Sequence, residues 1–159
     1  MIENKIFENT SVFKNRLQEF RSENKKIVFT NGCFDLLHKG HVLYLEEAKK
    51  LGQVLIVGLN SDASIKRLKG NSRPIKNIVD RSYVLAALKS VDAVLIFEED
   101  TPLKLVEAII PDVIVKGGDW KPEQIVGSDV VLKNGDTIKK FVEKEEKRLA
   151  TDEQKIKKS

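Results

Sequence analysis

His38 and His41 are the only histidines of the chain, and Gly40 lies between them. The first turn of a helix offers backbone N–H groups without intrahelical partners, and its dipole attracts anions. Gly40 has no Cβ, so a phosphate group can approach the backbone closely at this point. Imidazole and amide donors of this kind stabilise the charge that develops on phosphorus oxygens during phosphoryl transfer. The spacing therefore predicts a phosphate-binding site.

The elements around the histidines are those that such a site needs. Residues 26–29 are apolar enough for a buried strand, and the pattern from His41 to Leu51 predicts an amphipathic helix. In open α/β sheets, ligands bind at strand-to-helix turns of this kind. The alternative is two unrelated polar residues in a loop. We favour the phosphate site because the pair follows a strand and opens a helix.

Strands and helices alternate along the rest of the sequence. Apolar runs predict further strands at 54–59, 92–97, 112–115 and 137–142, with helical patterns between them. This alternation predicts an α/β protein with a Rossmann-like, three-layer α/β/α architecture and a parallel sheet of about five strands. We expect a helical lead-in over residues 1–25, one domain over 26–142 and a charged tail over 143–159.

Polar residues follow the end of each predicted strand, where one edge of the sheet would bring them together. Asn60 and Asp62 follow the second strand, Glu98 to Thr101 the third, and Lys116 to Trp120 the fourth. The loop from Lys69 to Pro74 contains two cations and is expected to close over an anionic ligand. Arg81 lies in the first turn of the next predicted helix, where a cation is unfavourable unless an anion is held nearby.

Composition limits the class of protein. Hydrophobic residues make up 41% of the sequence, no apolar run is long enough to span a membrane, and Cys33 is the single cysteine. We therefore expect a cytoplasmic, globular protein without membrane contact. The net charge of +4 lies mostly in the tail, because residues from Lys139 onward contain eight Lys or Arg and five Asp or Glu. A nucleic-acid partner is therefore not expected.

The stretch from Thr30 to His41 resembles the signature of the HxGH nucleotidyltransferase superfamily and of its cytidylyltransferase-like branch. From about Lys26 to Gly135 the chain is similar to the heptose 1-phosphate adenylyltransferases of lipopolysaccharide core biosynthesis. The segments Phe97 to Pro102 and Pro111 to Trp120 are the most specific parts of this resemblance. It implies AMP transfer from ATP to a heptose 1-phosphate, which yields ADP-heptose and pyrophosphate. Enzymes of this kind occur alone or fused to a sugar kinase, for which this chain has no room.

The resemblance also implies roles for individual residues. The catalytic group consists of His38, His41, Lys69 and Arg81. The nucleotide-binding group consists of Asn31, Gly32, Cys33, Phe34, Gly40, Lys116, Gly117, Asp119, Trp120 and Thr151. The substrate-binding group consists of Asp35, Asn60, Asp62 and Arg73. Mg²⁺ is expected with ATP, held mainly by the phosphates rather than by protein ligands.

Two alternatives stay open. One is a cytidylyltransferase that acts on glycerol phosphate or another polyol phosphate with the same histidine motif. The other is a nucleotide-binding regulator without turnover, because relatives carry Ser-Thr-Thr where this chain has Thr151, Asp152 and Glu153. Since relatives usually self-associate, the resemblance also suggests a homodimer.

Overall fold

The computed structural model describes residues 1–117 and 125–133, together with the backbone of 137–140. These residues form a six-stranded sheet in the order β1-β4-β3-β2-β5-β6, in which every pair of neighbours is parallel. The strands are β1 (Ile6–Phe7), β2 (Ile27–Gly32), β3 (Val54–Asn60), β4 (Ala93–Phe97), β5 (Val113–Lys116) and β6 (Thr137–Lys140). The predicted parallel α/β architecture is confirmed.

Helices cover both faces of the sheet. They are α1 (Thr10–Ser22), α2 (Lys39–Lys49), α3 (Asp62–Lys69), α4 (Ile78–Ala87), α5 (Leu103–Ile109) and α6 (Ser128–Lys133), after a 3₁₀ turn at Ile2–Lys5. One core joins the sheet to α1, α5 and α6 through side chains such as Phe13, Val106 and Val131. A second core on the opposite face contains Leu45 of α2 and Leu85 of α4. In the described part of the chain, no helix combines the length and apolar character needed to cross a membrane.

The lead-in contributes a strand that the sequence analysis did not predict. Ile6 and Phe7 pair with Val94 and Leu95 at the edge of the sheet. A two-residue strand is too short for an alternating pattern to reveal it. The helix expected in the lead-in is present as α1, and Asn9 caps it by accepting a hydrogen bond from Val12 N–H at 2.9 Å. The boundary predicted at residue 25 stays a prediction, and residues 143–159 lie outside the described part of the chain.

The turn between β2 and α2 is shorter than predicted. Strand β2 continues through Asn31 to Gly32, and α2 starts at Lys39, two residues before the predicted start at His41. Only residues 33–38 therefore connect the two elements. Helix α2 begins earlier than predicted because the side chain of His38 caps it. Sequence patterns associate this capping role with Ser, Thr, Asn or Asp, so the pattern did not reveal it.

Candidate active site

The strands deliver the predicted site residues to one edge of the sheet. Gly32 at the end of β2 pairs with Leu59, and Asn60 at the end of β3 pairs with Phe97 at the end of β4. Because all strands are parallel, the turns that follow them lie side by side at the carboxyl edge. This is the arrangement that the alternation of strands and helices predicted.

His38 and His41 cap the start of α2 reciprocally. The Nδ1 atom of His38 accepts a hydrogen bond from Gly40 N–H at 3.0 Å, and Nδ1 of His41 accepts one from His38 N–H at 3.4 Å. The two ring centroids lie 4.0 Å apart. An Nδ1 atom that accepts a hydrogen bond carries no proton, so in the neutral ring the proton is on Nε2. Each imidazole can therefore donate from Nε2 to a ligand.

The neutral form of His41 is favoured by its surroundings. Burial of the ring lowers its pKa below the ordinary value of 6.5, and the neighbouring His38 lowers it further. At neutral pH the His41 ring is therefore an uncharged hydrogen-bond donor rather than a cation. The helix start also repels positive charge. The neutral ring therefore fits the cap, and its Nε2–H can still donate to an anionic ligand.

Phe34 supports the ring of His41 from a strained backbone position. Its φ angle of 44° lies in the left-handed region, and its ring packs edge-on against His41 with centroids 5.5 Å apart. A Cβ on Gly32 would approach the Phe34 ring to 2.9 Å, so the close approach requires glycine there. Such strain persists only where the surrounding structure enforces it, commonly at binding sites.

Tyr44 connects the histidine helix to two strand ends, a role that sequence reasoning did not assign. Its hydroxyl lies 2.7 Å from Thr30 Oγ1 and donates to the Val115 carbonyl at 3.2 Å. Burial raises the pKa of Tyr44 to about 12, although hydrogen bonds with Thr30 and Gly117 oppose the shift. The available signal was Thr30, a polar residue at the end of an apolar run, which needs a partner when it is buried.

The carboxylate of Asp35 binds the loop that precedes α4. Its carboxylate accepts hydrogen bonds from Ile75 N–H and Lys76 N–H, both at 2.9 Å, and from Arg73 at 3.0 Å. Desolvation opposes ionisation, but these bonds from Lys76, Ile75 and Arg73 outweigh it and lower the pKa of Asp35 to about 2. Arg73, in the loop predicted to close over a ligand, is thus bound to the turn of residues 33–38 between β2 and α2.

Arg81 is buried, and its guanidinium contacts protein groups. It donates to the carbonyls of Cys33, Asn60 and Lys76 at 2.8 to 2.9 Å and to Asp62 at 2.6 Å. The anion expected near this helix start is therefore the carboxylate of Asp62. These contacts join the turns after β2 and β3 to the loop before α4. Arg81 therefore acts as a positioning residue. Direct neutralisation of phosphate by Arg81 stays a prediction.

The turn after β3 is also fixed by side chains. Asn60 donates to Ser64 Oγ at 3.0 Å, and Ser61 caps α3 while donating to Glu98 at 2.7 Å. Asp62 accepts from Ile78 N–H as well as from Arg81. Asn60 and Asp62 therefore order the carboxyl edge through protein contacts, and their predicted contact with substrate stays a prediction.

The predicted cations differ in their surroundings. Lys116, at the end of β5, is partly buried, and burial lowers its pKa while the nearby Cys33 thiol opposes the shift. Lys69 is exposed at the end of α3, and Arg73 is bound to Asp35 but still about half exposed. Gly117 follows β5 at the same edge. Asp119, Trp120 and Thr151 lie outside the described residues.

The comparison with protein families identifies the class of this site. Residues 29–158 match the family described as cytidylyltransferase-like. The chain belongs to the cytidylyltransferase-like family. The predicted family and the predicted nucleotidyltransferase class are thereby confirmed.

Individual relatives place this cytidylyltransferase-like chain more closely. It is 60% identical to the bifunctional protein HldE of Nitratiruptor sp. over 113 residues, which are 71% of this chain and 24% of that protein. It is 58% identical to the bifunctional protein HldE of Haemophilus ducreyi over 132 residues, 80% of this chain and 28% of that protein. The chain spans about a quarter of the length of these relatives.

Solved structures agree with the family. The lipopolysaccharide core biosynthesis protein from Thermoplasma volcanium superposes with a TM-score of 0.58 at 34% identity, covering 73% of this chain and 93% of that one. Pantoate-beta-alanine ligase from Francisella tularensis superposes with a TM-score of 0.56 at 18% identity, over 86% of this chain and 65% of that one. The second likeness shows the fold alone.

In the described part of this cytidylyltransferase-like site, the acidic side chains do not form a metal centre of their own. Among residues 1–117 and 125–133, no group of three or more His, Cys, Asp or Glu side chains could hold a metal ion. Asp35 and Asp62 are both engaged by N–H donors. This donor set fits a Mg²⁺ ion that enters bound to nucleotide phosphates better than one held by side chains.

Proposed function

We propose that this domain transfers AMP from ATP to a heptose 1-phosphate and releases ADP-heptose and pyrophosphate, in the synthesis of lipopolysaccharide core precursors. The observation that carries the proposal is the pair of adjacent histidine rings, whose Nε2 atoms can donate at the start of α2. The choice of acceptor is supported by the likeness to the lipopolysaccharide core biosynthesis protein of Thermoplasma volcanium and by the high identity to HldE proteins.

In this mechanism the protein supplies position and hydrogen-bond donors. His38 and His41 bind the ATP phosphates through Nε2, and Gly40, which has no side chain, lets them approach closely, while Lys69, Lys116 and Arg73 add positive charge around them. An oxygen of the acceptor phosphate attacks the α-phosphorus of ATP in line, and pyrophosphate leaves. The acceptor is already ionised at neutral pH, so no general base is needed.

The remaining groups of the proposed site hold its shape or border the substrates. Mg²⁺ bound to the ATP phosphates neutralises part of their charge. Arg81 and Asp62 keep the turns after β2 and β3 together, and Asp35 fixes the loop that carries Arg73. We assign Asp119 and Trp120 to the nucleotide by resemblance, and Thr151 to its phosphates.

One rival activity has an observation in its favour. The family that the chain matches is described as cytidylyltransferase-like, so CTP with glycerol phosphate or another polyol phosphate is the second candidate. The choice of base rests on groups that residue identities alone do not reveal. A cytoplasmic location and a homodimer stay predictions.

Pyrophosphate release tests the two candidates. We would compare ATP and CTP in the presence of Mg²⁺, each with heptose 1-phosphate and with glycerol 3-phosphate. Release with ATP and heptose 1-phosphate alone is the expected result. Release with CTP and glycerol 3-phosphate alone would establish the rival, and nucleotide binding without release from any pair would indicate a regulator.

A pair of variants links this activity to the histidines. His41→Ala removes a donor to the phosphates and should lower kcat/KM by about 10²- to 10³-fold. Glu46→Ala is the matched control, because Glu46 is an exposed residue of the same helix. Equal activity of the two variants would remove His41 from the mechanism.

A further inference from the structure

The sheet opens between β2 and β5 at its carboxyl edge. Strand β2 pairs with β3 as far as Gly32, whereas its pairing with β5 ends at Phe29, opposite Ile114. Strand β5 itself continues beyond that pair, in register with β6. In the described part of the chain, the ends of β2 and β5 are therefore separated by a crevice between residues 30–32 and residues 115–116.

The β2/β5 crevice is also the point at which the order of the strands reverses. From β2 the chain continues to β3 and β4 on one side of the sheet, and then to β5 and β6 on the other. Ligands of open α/β sheets bind at such a reversal, outside the carboxyl ends of the strands. Lys116, at the end of β5, lies near Cys33 in the turn after β2. A nucleotide in this crevice would thus meet β5 on one side and the turn of residues 33–38 on the other.

The hydroxyl of Tyr44 bridges the crevice. It donates a hydrogen bond to the Val115 carbonyl at 3.2 Å and lies 2.7 Å from Thr30 Oγ1. Since its only hydrogen is directed to Val115, the Tyr44 oxygen accepts from the Thr30 hydroxyl. The backbone of Gly117 forms a further hydrogen bond with Tyr44. One side-chain oxygen therefore joins β2 to β5 where the pairing of their backbones has ended.

The same hydroxyl connects the helix of the histidines to β5. Helix α2 lies over β2 and β3 and makes fewer close backbone approaches to β5. Tyr44 follows His41 by three residues, so both side chains are on the same face of α2. Thr30 is fully buried, and hydrogen bonds shielded from water hold a geometry more strongly than exposed ones. Tyr44 therefore fixes the helix that carries His41 to the strand that carries Lys116.

We propose that the Tyr44 hydroxyl is a positioning group for the nucleotide, because it sets the separation between His41 on α2 and Lys116 on β5. The inference rests on the proposed function, in which both residues bind the ATP phosphates. Donors on two elements act together only when their separation matches that of the phosphate oxygens. The acceptor side of the site is held by Asp35 and Arg81 instead. Loss of the hydroxyl should therefore weaken nucleotide binding and spare the acceptor.

Nucleotide binding by Tyr44→Phe tests the proposal, because this change removes the hydroxyl and keeps the ring. Titration calorimetry on the full chain, with Mg²⁺ and with ATP or CTP but no acceptor, gives the Kd. We expect the Kd of Tyr44→Phe to rise about 10-fold. Tyr83→Phe is the matched control, since the other tyrosine of the chain is 41% exposed on α4 and should keep the wild-type Kd. In pyrophosphate release, Tyr44→Phe should raise KM for the nucleotide similarly and leave KM for the acceptor and kcat nearly unchanged.

This pattern separates positioning from stability. A variant that is only less stable has a smaller folded fraction, which lowers kcat and the fitted binding stoichiometry but leaves Kd and KM at their wild-type values. Thr30→Val removes the donor to Tyr44 and should also raise the Kd, whereas Thr30→Ser keeps the hydroxyl and should not. The double variant of Tyr44→Phe with Thr30→Val should bind no more weakly than Tyr44→Phe alone, because both changes remove the same contact.

The outcomes distinguish this inference from the proposed function. A wild-type Kd in Tyr44→Phe, an equal rise in Tyr83→Phe, or additive losses in the double variant would overturn the positioning role, while nucleotide transfer by the wild type stands. A wild-type chain that binds neither ATP nor CTP would overturn both.

Discussion

Each histidine of the site serves the backbone with one ring nitrogen and leaves the other for a ligand. Nδ1 of His38 and Nδ1 of His41 accept backbone hydrogen bonds at the start of α2. A proton on either Nδ1 would abolish the corresponding hydrogen bond and place a positive charge at the helix N-terminus. The order of the turn therefore depends on unprotonated Nδ1 atoms, while Nε2–H of each ring stays available to a ligand.

Stability should consequently depend on the protonation of His41. Burial and His38 lower its pKa in the folded protein, whereas the unfolded chain keeps the ordinary value of 6.5. The stabilisation is complete above pH 6.5 and is lost as the pH falls toward the folded-state pKa. Between about pH 8 and about pH 5, the free energy of unfolding should fall more for wild type than for His41→Asn. Asn accepts the same hydrogen bond but does not titrate, so equal slopes in urea unfolding would refute this account.

Arg81 should matter for stability far more than an exposed arginine does. Replacing it with methionine leaves Asp62 and the carbonyls of Cys33 and Asn60 without their buried donor, which should cost about 3–5 kcal/mol. Arg67→Met is the control, because the half-exposed Arg67 pairs with Asp100 and should lose at most about 1 kcal/mol. Denaturant unfolding measures both, and similar losses would contradict the positioning role.

At the scale of elements, Asp35 acts as the fixed point of the loop before α4. Asp35→Ala removes the acceptor for two backbone N–H groups, so hydrogen exchange at Ile75 and Lys76 should become faster. Glu107→Ala, which removes an exposed carboxylate on α5, should leave both amides protected. The measurement is amide exchange by NMR at neutral pH. Unchanged protection in Asp35→Ala would show that other contacts hold the loop.

The sequence predicts the secondary-structure elements better than it predicts the contacts between them. The continuously apolar residues of β3 and the helix after Pro102 follow from local patterns, because burial and proline each leave a local signature. The contacts of Arg81 do not, since they depend on turns that are distant in sequence. The spacing of the two histidines could not show that both rings accept backbone hydrogen bonds at the start of α2.

At the scale of the whole molecule, the carboxyl edge of the sheet carries the candidate site, whereas side chains at the amino edge align the strands. Asp92 and Asp112 lie at the amino edge, opposite the histidines. Asp112 accepts from Ile27 N–H at 2.7 Å and donates its own N–H to the Ile27 carbonyl, and Asp92 does the same with Leu55. Each carboxylate also pairs with a helix cation, Arg21 for Asp112 and Lys49 for Asp92. These repeated contacts align neighbouring strands and reach no part of the carboxyl edge.

Substitution at the amino edge should therefore separate stability from activity. Asp92→Ala and Asp112→Ala each leave a strand N–H without its acceptor and should lower the free energy of unfolding by about 1–3 kcal/mol. In pyrophosphate release at a temperature where both variants stay folded, kcat/KM should be nearly unchanged. His41→Ala should behave in the opposite way, with a large loss of activity. A variant of Asp92 or Asp112 that loses activity but not stability would mean that the two edges are coupled, because strand alignment at one edge would then set the geometry of the turns at the other.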